Sequence, residues 1–261
     1  MSSYLIDSAS RDGDRVELLG DEARHAAKAA RRTEGEGVWL IDGKGTAFEA
    51  VVEATAQDRV TCRIVRAMEA WGEPEVEITL AAAVLKGGNF DVVVEKATEL
   101  GVSRIIPLES ERAVAKGLSK NKRKRWESLA LSATKQCRRS RVPEIAEPMS
   151  TEELGQSIGD YDHAFVAWVG ERSRSLSSHE PLSGSILVII GPEGGFSDEE
   201  AAFMVQRGAH SVTLGNRRLR AETAALCALT LVMDRAGELK KPMEHDPDES
   251  GTREWEKGGA V

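Results

Sequence analysis

Within Leu187–Leu226 the chain twice runs from a short apolar stretch into a glycine turn crowded with ionisable side chains. The first is Leu187-Val188-Ile189-Ile190 followed by Gly191-Pro192-Glu193-Gly194-Gly195-Phe196. The second is Val212-Thr213-Leu214-Gly215 followed by Asn216-Arg217-Arg218-Leu219-Arg220-Ala221-Glu222-Thr223. A β-branched run stopped by Gly and Pro reads as a buried strand that ends abruptly. In open α/β sheets, ligands bind outside the carboxyl ends of such strands, where backbone comes close. One ligand held between two loops is therefore expected, and the active site is placed here. The first loop has neither the GxxxxGK[ST] of a Walker A loop nor the GxGxxG of a dinucleotide site. Taken alone it is equally a tight strand-to-helix turn. Three arginines beside a glycine and a Glu-Thr helix start shift the balance toward a site. The alternative is that Glu222 and Thr223 merely favour the helix N-terminus and the arginines are exposed.

Other chemistries find little support. The five histidines (His25, His163, His179, His210, His245) show no metal-ligand spacing, so no metal is expected. There is no GxSxG elbow, and Cys62, Cys137 and Cys227 lack a catalytic context. An odd, scattered set of thiols fits a reducing cytoplasm rather than a disulfide framework. No apolar run approaches the roughly 20 residues of a membrane helix, and the N-terminus does not read as a signal peptide. Net charge is −8, which alone argues against a nucleic-acid partner. Yet Arg112 to Arg141 holds eleven Lys or Arg and a single acid, Glu127. Such a concentration is a candidate phosphate-binding surface, its plain alternative being a solvated helix face.

The elements that must position these residues fall into two groups. Up to about residue 70 the chain reads as a small β-barrel. A helix spans Asp21 to Arg32, and strands follow at Val38–Ile41, Phe48–Val52 and Arg59–Val65, with a hairpin turn at Asp42-Gly43-Lys44-Gly45. Trp71-Gly72-Glu73-Pro74 reads as a linker. From Val76 strands and helices alternate, as in an α/β domain: strands at 78–85, 103–108, 164–169, 187–190 and 211–214, helices at 91–100, 120–136, 152–158, 198–208 and 221–236. Ser197 and Glu200 form a capping box. The nearly all-apolar last helix belongs in a core or a subunit interface. Residues 238–261 read as a polar, mobile tail.

These motifs together resemble the RsmE family of 16S rRNA methyltransferases, in the SPOUT superfamily. The resemblance rests on Glu95-Lys-Ala-Thr-Glu-Leu-Gly-Val102, Ser110-Glu-Arg112, Gln136-Cys-Arg-Arg-Ser-Arg-Val-Pro-Glu144, Gly191-Pro-Glu-Gly-Gly-Phe-Ser197 and Leu214-Gly…Leu-Arg-Ala-Glu-Thr-Ala224. It implies a PUA-like RNA-binding β-barrel over residues 1–71 and a trefoil-knotted SPOUT α/β methyltransferase domain over 75–237. S-adenosylmethionine would be held by Ile190, Gly191, Pro192, Glu193, Gly194, Gly195, Leu214, Gly215, Leu219, Arg220 and Thr223. The acceptor would be N3 of one uridine in 16S rRNA of the small ribosomal subunit, and the enzyme a homodimer. Arg220 is assigned to stabilise the uracil anion and Glu222 to take its proton, with Glu193 as a second candidate base. Arg112, Lys122, Arg123, Arg125, Arg138, Arg139 and Arg141 would grip RNA phosphates. The chain departs from the family pattern at Lys135, Arg218 and Ala221, and Lys135 is expected to extend the basic surface.

Overall fold

The computed structural model describes residues 3–7, 10–29, 32–56, 58–113 and 119–241. Its N-terminal part is a six-stranded curled sheet. The strands are β1 (Tyr4–Leu5), β2 (Arg11–Asp12), β3 (Arg15–Leu19), β4 (Gly37–Ile41), β5 (Thr46–Thr55) and β6 (Arg59–Glu69), in the order β1-β4-β5-β6-β3-β2. Alternating side chains of β3, β5 and β6 point inward, where Val16, Leu18, Phe48, Ala50, Val52, Val60 and Cys62 form one core. The β4–β5 turn is held by the Asp42 carboxylate, which accepts from the N–H groups of Lys44, Gly45 and Thr46 at 2.7, 3.0 and 2.9 Å. β5 and β6 slip register at Glu49/Ala50 and Val52/Ala54, bulges that help the sheet curl. α1 (Gly20–Arg24) is shorter than expected and passes into a π-helical turn, His25–Ala29. β1, β2 and β3 had no expectation in the sequence.

The C-terminal part is a wholly parallel sheet: β7 (Glu77–Ala83), β8 (Arg104–Glu109), β9 (Glu144–Ile145), β10 (Met149–Ser150), β11 (His163–Ala167), β12 (Ser185–Ile190) and β13 (His210–Val212). The order is β10-β8-β7-β12-β11-β13, with β9 also beside β8. The central strands β7 and β12 bury both faces, which explains their near-continuous apolar runs. Ile78, Leu80, Ile186 and Val188 face one side, where α2 (Asn89–Glu99), α3 (Lys120–Cys137) and α6 (Ala221–Arg235) pack through Phe90, Trp126 and Leu229. Ala81, Leu187 and Ile189 face the other, where α4 (Thr151–Ser157) contributes Leu154 and α5 (Asp198–Gln206) contributes Met204. Being parallel, β7, β8, β11, β12 and β13 deliver their following loops to one edge of the domain.

The segment between the two parts is no slack linker. Trp71 stacks on Trp39 at 4.6 Å, and its carbonyl accepts from Ser140. Glu73 lies buried against the end of α3, paired with Arg139. Lys135 binds Glu22 at 2.7 Å, with both side chains largely covered. It therefore joins the two parts and does not extend the basic surface. Residues 238–241 also depart from the expected tail. Gly237, at φ 80°, ends α6, and the Glu238 carboxylate accepts from Glu75 N–H and from Lys241. The rest of the expected tail, 242–261, lies outside the described residues, as does Lys116.

Candidate active site

The first glycine loop follows β12 directly. A Cβ on Gly191 would stand 3.1 Å from the Phe196 ring and 3.2 Å from its backbone nitrogen, so the loop closes tightly only without one. Gly195, at φ 71°, completes the turn by donating to the Pro192 carbonyl at 2.8 Å. Ser197 and Glu200 form the expected reciprocal capping box of α5. Glu200 also accepts from Glu111 N–H at 2.9 Å, which fixes the loop after β8. That loop carries Arg112, whose guanidinium donates to the Gly194 carbonyl at 3.3 Å.

The second loop follows β13. Gly215 sits at φ 111°, and Thr213 Oγ1 both accepts from and donates to it. Arg218 reaches across to the first loop and donates to the Glu193 carbonyl at 3.3 Å. Arg220 occupies the N-cap position of α6 with an exposed side chain that has no partner among the described residues. Glu222 follows in the first turn of the helix, where a carboxylate suits the helix dipole. Its Oε2 is buried without a hydrogen-bond partner among the described residues. An unpaired buried carboxylate oxygen is costly and asks for a ligand or a functional reason.

Between the loops lies a cleft of about 460 Å³, counting space open to solvent. Of the expected cofactor residues, Ile190, Gly191, Pro192, Glu193, Gly195 and Leu219 line it, whereas Gly194, Leu214, Gly215, Arg220 and Thr223 do not. Ala167 and Val169 supply a wall that the sequence reading missed. The rule that sites open at strand carboxyl ends points there too, because β11 ends at Ala167 beside β12. Phe196, Arg218, Ala221 and Ala224 complete the lining.

A larger cavity, about 910 Å³ with its open space, lies at the amino ends of the strands. Its charged groups are already engaged: Glu73 with Arg139, Glu75 with Lys241, Glu77 with Arg141 and Asp162 with Ser185. It lies at the opposite edge from the loops that follow the strands, where ligands of such sheets bind, so the smaller cleft is the better site. Among the described residues no cluster of His, Cys, Asp or Glu could hold a metal, and no helix is long and apolar enough to cross a membrane.

The expected phosphate-binding residues divide. Arg112 is exposed beside the first loop. Lys122 lies over the Trp126 ring, and the largely exposed Arg125 pairs with Asp91 at 2.8 Å. Arg123 is held by Glu127, Glu147 and the Ile145 carbonyl. Arg138 is half-buried at the left-handed C-cap of α3, and Arg141 remains partly open beside Glu77. Arg139 is a correction: it is 2% exposed, and its donors go to Glu73, Thr98 and Val102. A guanidinium so committed offers nothing to a phosphate.

Comparison with known proteins identifies the family. Residues 72–233 match the RNA methyltransferase domain family, and residues 18–65 match the RNA methyltransferase PUA domain. The fold is thus that of a SPOUT-type RNA methyltransferase, an α/β domain preceded by a PUA-like sheet. More narrowly, the chain belongs to the ribosomal RNA small subunit methyltransferase E family. It is 31% identical to that protein of Mycobacterium bovis, over 88% of this chain and 90% of the relative. It is 28% identical to that of Bacillus subtilis, over 89% and 96%. The crystal structure of the Neisseria gonorrhoeae enzyme bound to S-adenosyl methionine superimposes with a TM-score of 0.81 at 28% identity, covering 90% of this chain and 97% of the other. A putative methyltransferase from Legionella pneumophila, in complex with the cofactor, gives 0.75 at 30% identity over 90% and 98%.

Proposed function

We propose that this protein transfers the methyl group of S-adenosylmethionine to N3 of a single uridine in the 16S rRNA of the small ribosomal subunit. We place that activity in the cytoplasm, in a homodimer whose α/β domain carries the trefoil knot implied by the family resemblance. The observation that carries the reading is a cleft walled by two glycine loops and by Ala221 and Ala224 of the helix turn that also holds the buried, unpartnered Glu222 Oε2. The cleft fits the cofactor in kind: mostly apolar walls, with glycine backbone that a ligand can approach closely.

When bound, S-adenosylmethionine supplies a methyl group on a sulfonium, ready for in-line displacement. The chain's own task is to position the acceptor and manage its proton. Glu222 takes the proton from uracil N3, for which an unpaired, sheltered carboxylate oxygen is suited. Arg220, exposed and unpaired at the start of α6, donates to the carbonyl oxygens over which the anion spreads. Arg112, Lys122, Arg125, Arg138 and Arg141 engage phosphates and set the register of the RNA, with the PUA-like sheet beside them.

The test is to incubate the purified protein and labelled S-adenosylmethionine with small subunits from cells lacking it, then to map the product. A 3-methyluridine at one 16S position is the expected outcome. Cofactor binding without transfer would redirect the reading to another RNA. No cofactor binding would leave a non-catalytic RNA-binding protein on the same fold.

A further inference from the structure

We propose that Arg218 and Glu193 form a receptor for a zwitterionic amino-acid group in the cleft, with Arg218 fixing the carboxylate of the methionyl moiety of S-adenosylmethionine. This deepens the methyl-transfer reading above and rests on it. Every residue lining the cleft is apolar or glycine except these two, one a cation and the other an anion. They come from different loops, so both loops must be in place for the pair to exist. The Arg218 Nη2 bond to the Glu193 carbonyl, at 3.3 Å, holds the two residues side by side. The bond is to backbone, and their charges form no ion pair with each other or with any other described side chain.

The unused capacity is large. A guanidinium carries five N–H donors, and Arg218 commits one of them within the described structure. The Glu193 carboxylate accepts a single long bond, from Lys86 N–H at 3.4 Å. An α-amino acid presents the complementary pair: a carboxylate that takes a fork of guanidinium donors, and an ammonium that needs an acid. The apolar remainder of the cleft is left for the uncharged part of the same ligand. RNA phosphate is the competing anion. The adjoining carboxylate of Glu193 would repel a phosphate, whereas it completes the site for a zwitterion.

Calorimetry on the full-length protein and on Arg218→Gln tests the proposal, using S-adenosylmethionine, its decarboxylated form and 5′-methylthioadenosine. The wild-type protein is expected to bind S-adenosylmethionine roughly tenfold or more tightly than the decarboxylated form, as a lost charge-assisted bond implies. Arg218→Gln should close that gap while leaving 5′-methylthioadenosine unchanged. A gap that survives in the variant overturns the proposal. So does an equal loss for all three ligands, which would make Arg218 a loop strut. Unchanged ligand affinities with a shallower salt dependence of RNA binding would assign the arginine to RNA instead. These three outcomes leave the methyltransferase reading standing. Failure of the wild-type protein to bind any of the three ligands overturns both.

Discussion

Arg139 and Glu73 form a forked ion pair, Nη2 and Nε of the guanidinium lying 2.6 and 3.1 Å from one carboxylate oxygen, with side chains 3% and 8% exposed. The second carboxylate oxygen accepts from Ser140 and Arg141 N–H at 2.9 and 2.8 Å, and Arg139 Nη1 donates to the Thr98 and Val102 carbonyls. Every element of this network is satisfied, and it ties the inter-domain segment to α2 and to the end of α3. Removing one partner strands a buried charge, which costs about 3–5 kcal/mol. Arg139→Ala and Glu73→Ala are each expected to lose stability of that order in chemical denaturation. Lys at 139 should not rescue, because an ammonium cannot span a carboxylate and two carbonyls. A loss under about 1 kcal/mol would contradict the network's role.

Burial separates the structural Arg139 from the basic residues proposed to meet RNA. Arg112 and the Lys122–Arg125 end of α3 remain accessible, so alanine at Arg112, Lys122 or Arg125 should weaken RNA binding. Each should reduce the slope of log affinity against log salt by about one. The fold should be unaffected by circular dichroism. Filter binding across a salt series measures this, and an unchanged slope for all three variants would remove α3 from the interface.

Much of the site was legible in the primary structure because its signals are local. The Ser197–Glu200 capping box, the Gly191 loop and the strand at 185–190 each announce themselves within a few residues. What escaped depends on distant partners. Tyr4-Leu5 becomes a strand only by pairing in parallel with Leu40-Ile41. Arg139 reads as one more member of a basic run until Glu73 is folded against it. Ala167 and Val169 become a wall of the cleft only once β11 lies beside β12. Three of the histidines, His163, His179 and His210, unremarkable in sequence spacing, gather because β11 and β13 are neighbours across the edge of the sheet.

That gathering has a pH consequence. His179 lies 6.1 Å from His163 and 5.8 Å from His210, ring centre to ring centre, around Phe165. Burial first, and then the positive charges of His179, Arg174 and His163, hold the His210 pKa below its ordinary 6.5. A proton then binds the unfolded chain before the folded one. The His210 contribution is therefore complete above about pH 6.5 and is lost as pH falls toward the lowered value. Glu171 acts in a lower window. Hydrogen bonds from Ser173 N–H and the Ser211 hydroxyl lower its pKa to about 2, so its contribution is lost only as pH falls below its ordinary 4.5. Tm should decline between pH 7.5 and 5.5, and His210→Asn should flatten that decline. An identical slope in the variant would move the effect elsewhere.

Glu222 offers the sharpest separation of function from stability. A buried carboxylate oxygen without a partner is a cost to the fold, which active sites tolerate when the group has a task. Glu222→Gln keeps the shape and removes the charge, so Tm should hold or rise. Turnover with both substrates saturating should fall by about 10²–10⁴, the usual contribution of a positioned general base. Cofactor affinity should stay near wild type, because Glu222 does not line the cleft. The decisive comparison sets single-turnover rates beside thermal melts and calorimetry on the same preparation. Near-normal turnover would remove Glu222 from proton transfer, and lost cofactor binding would recast it as a support for the second loop.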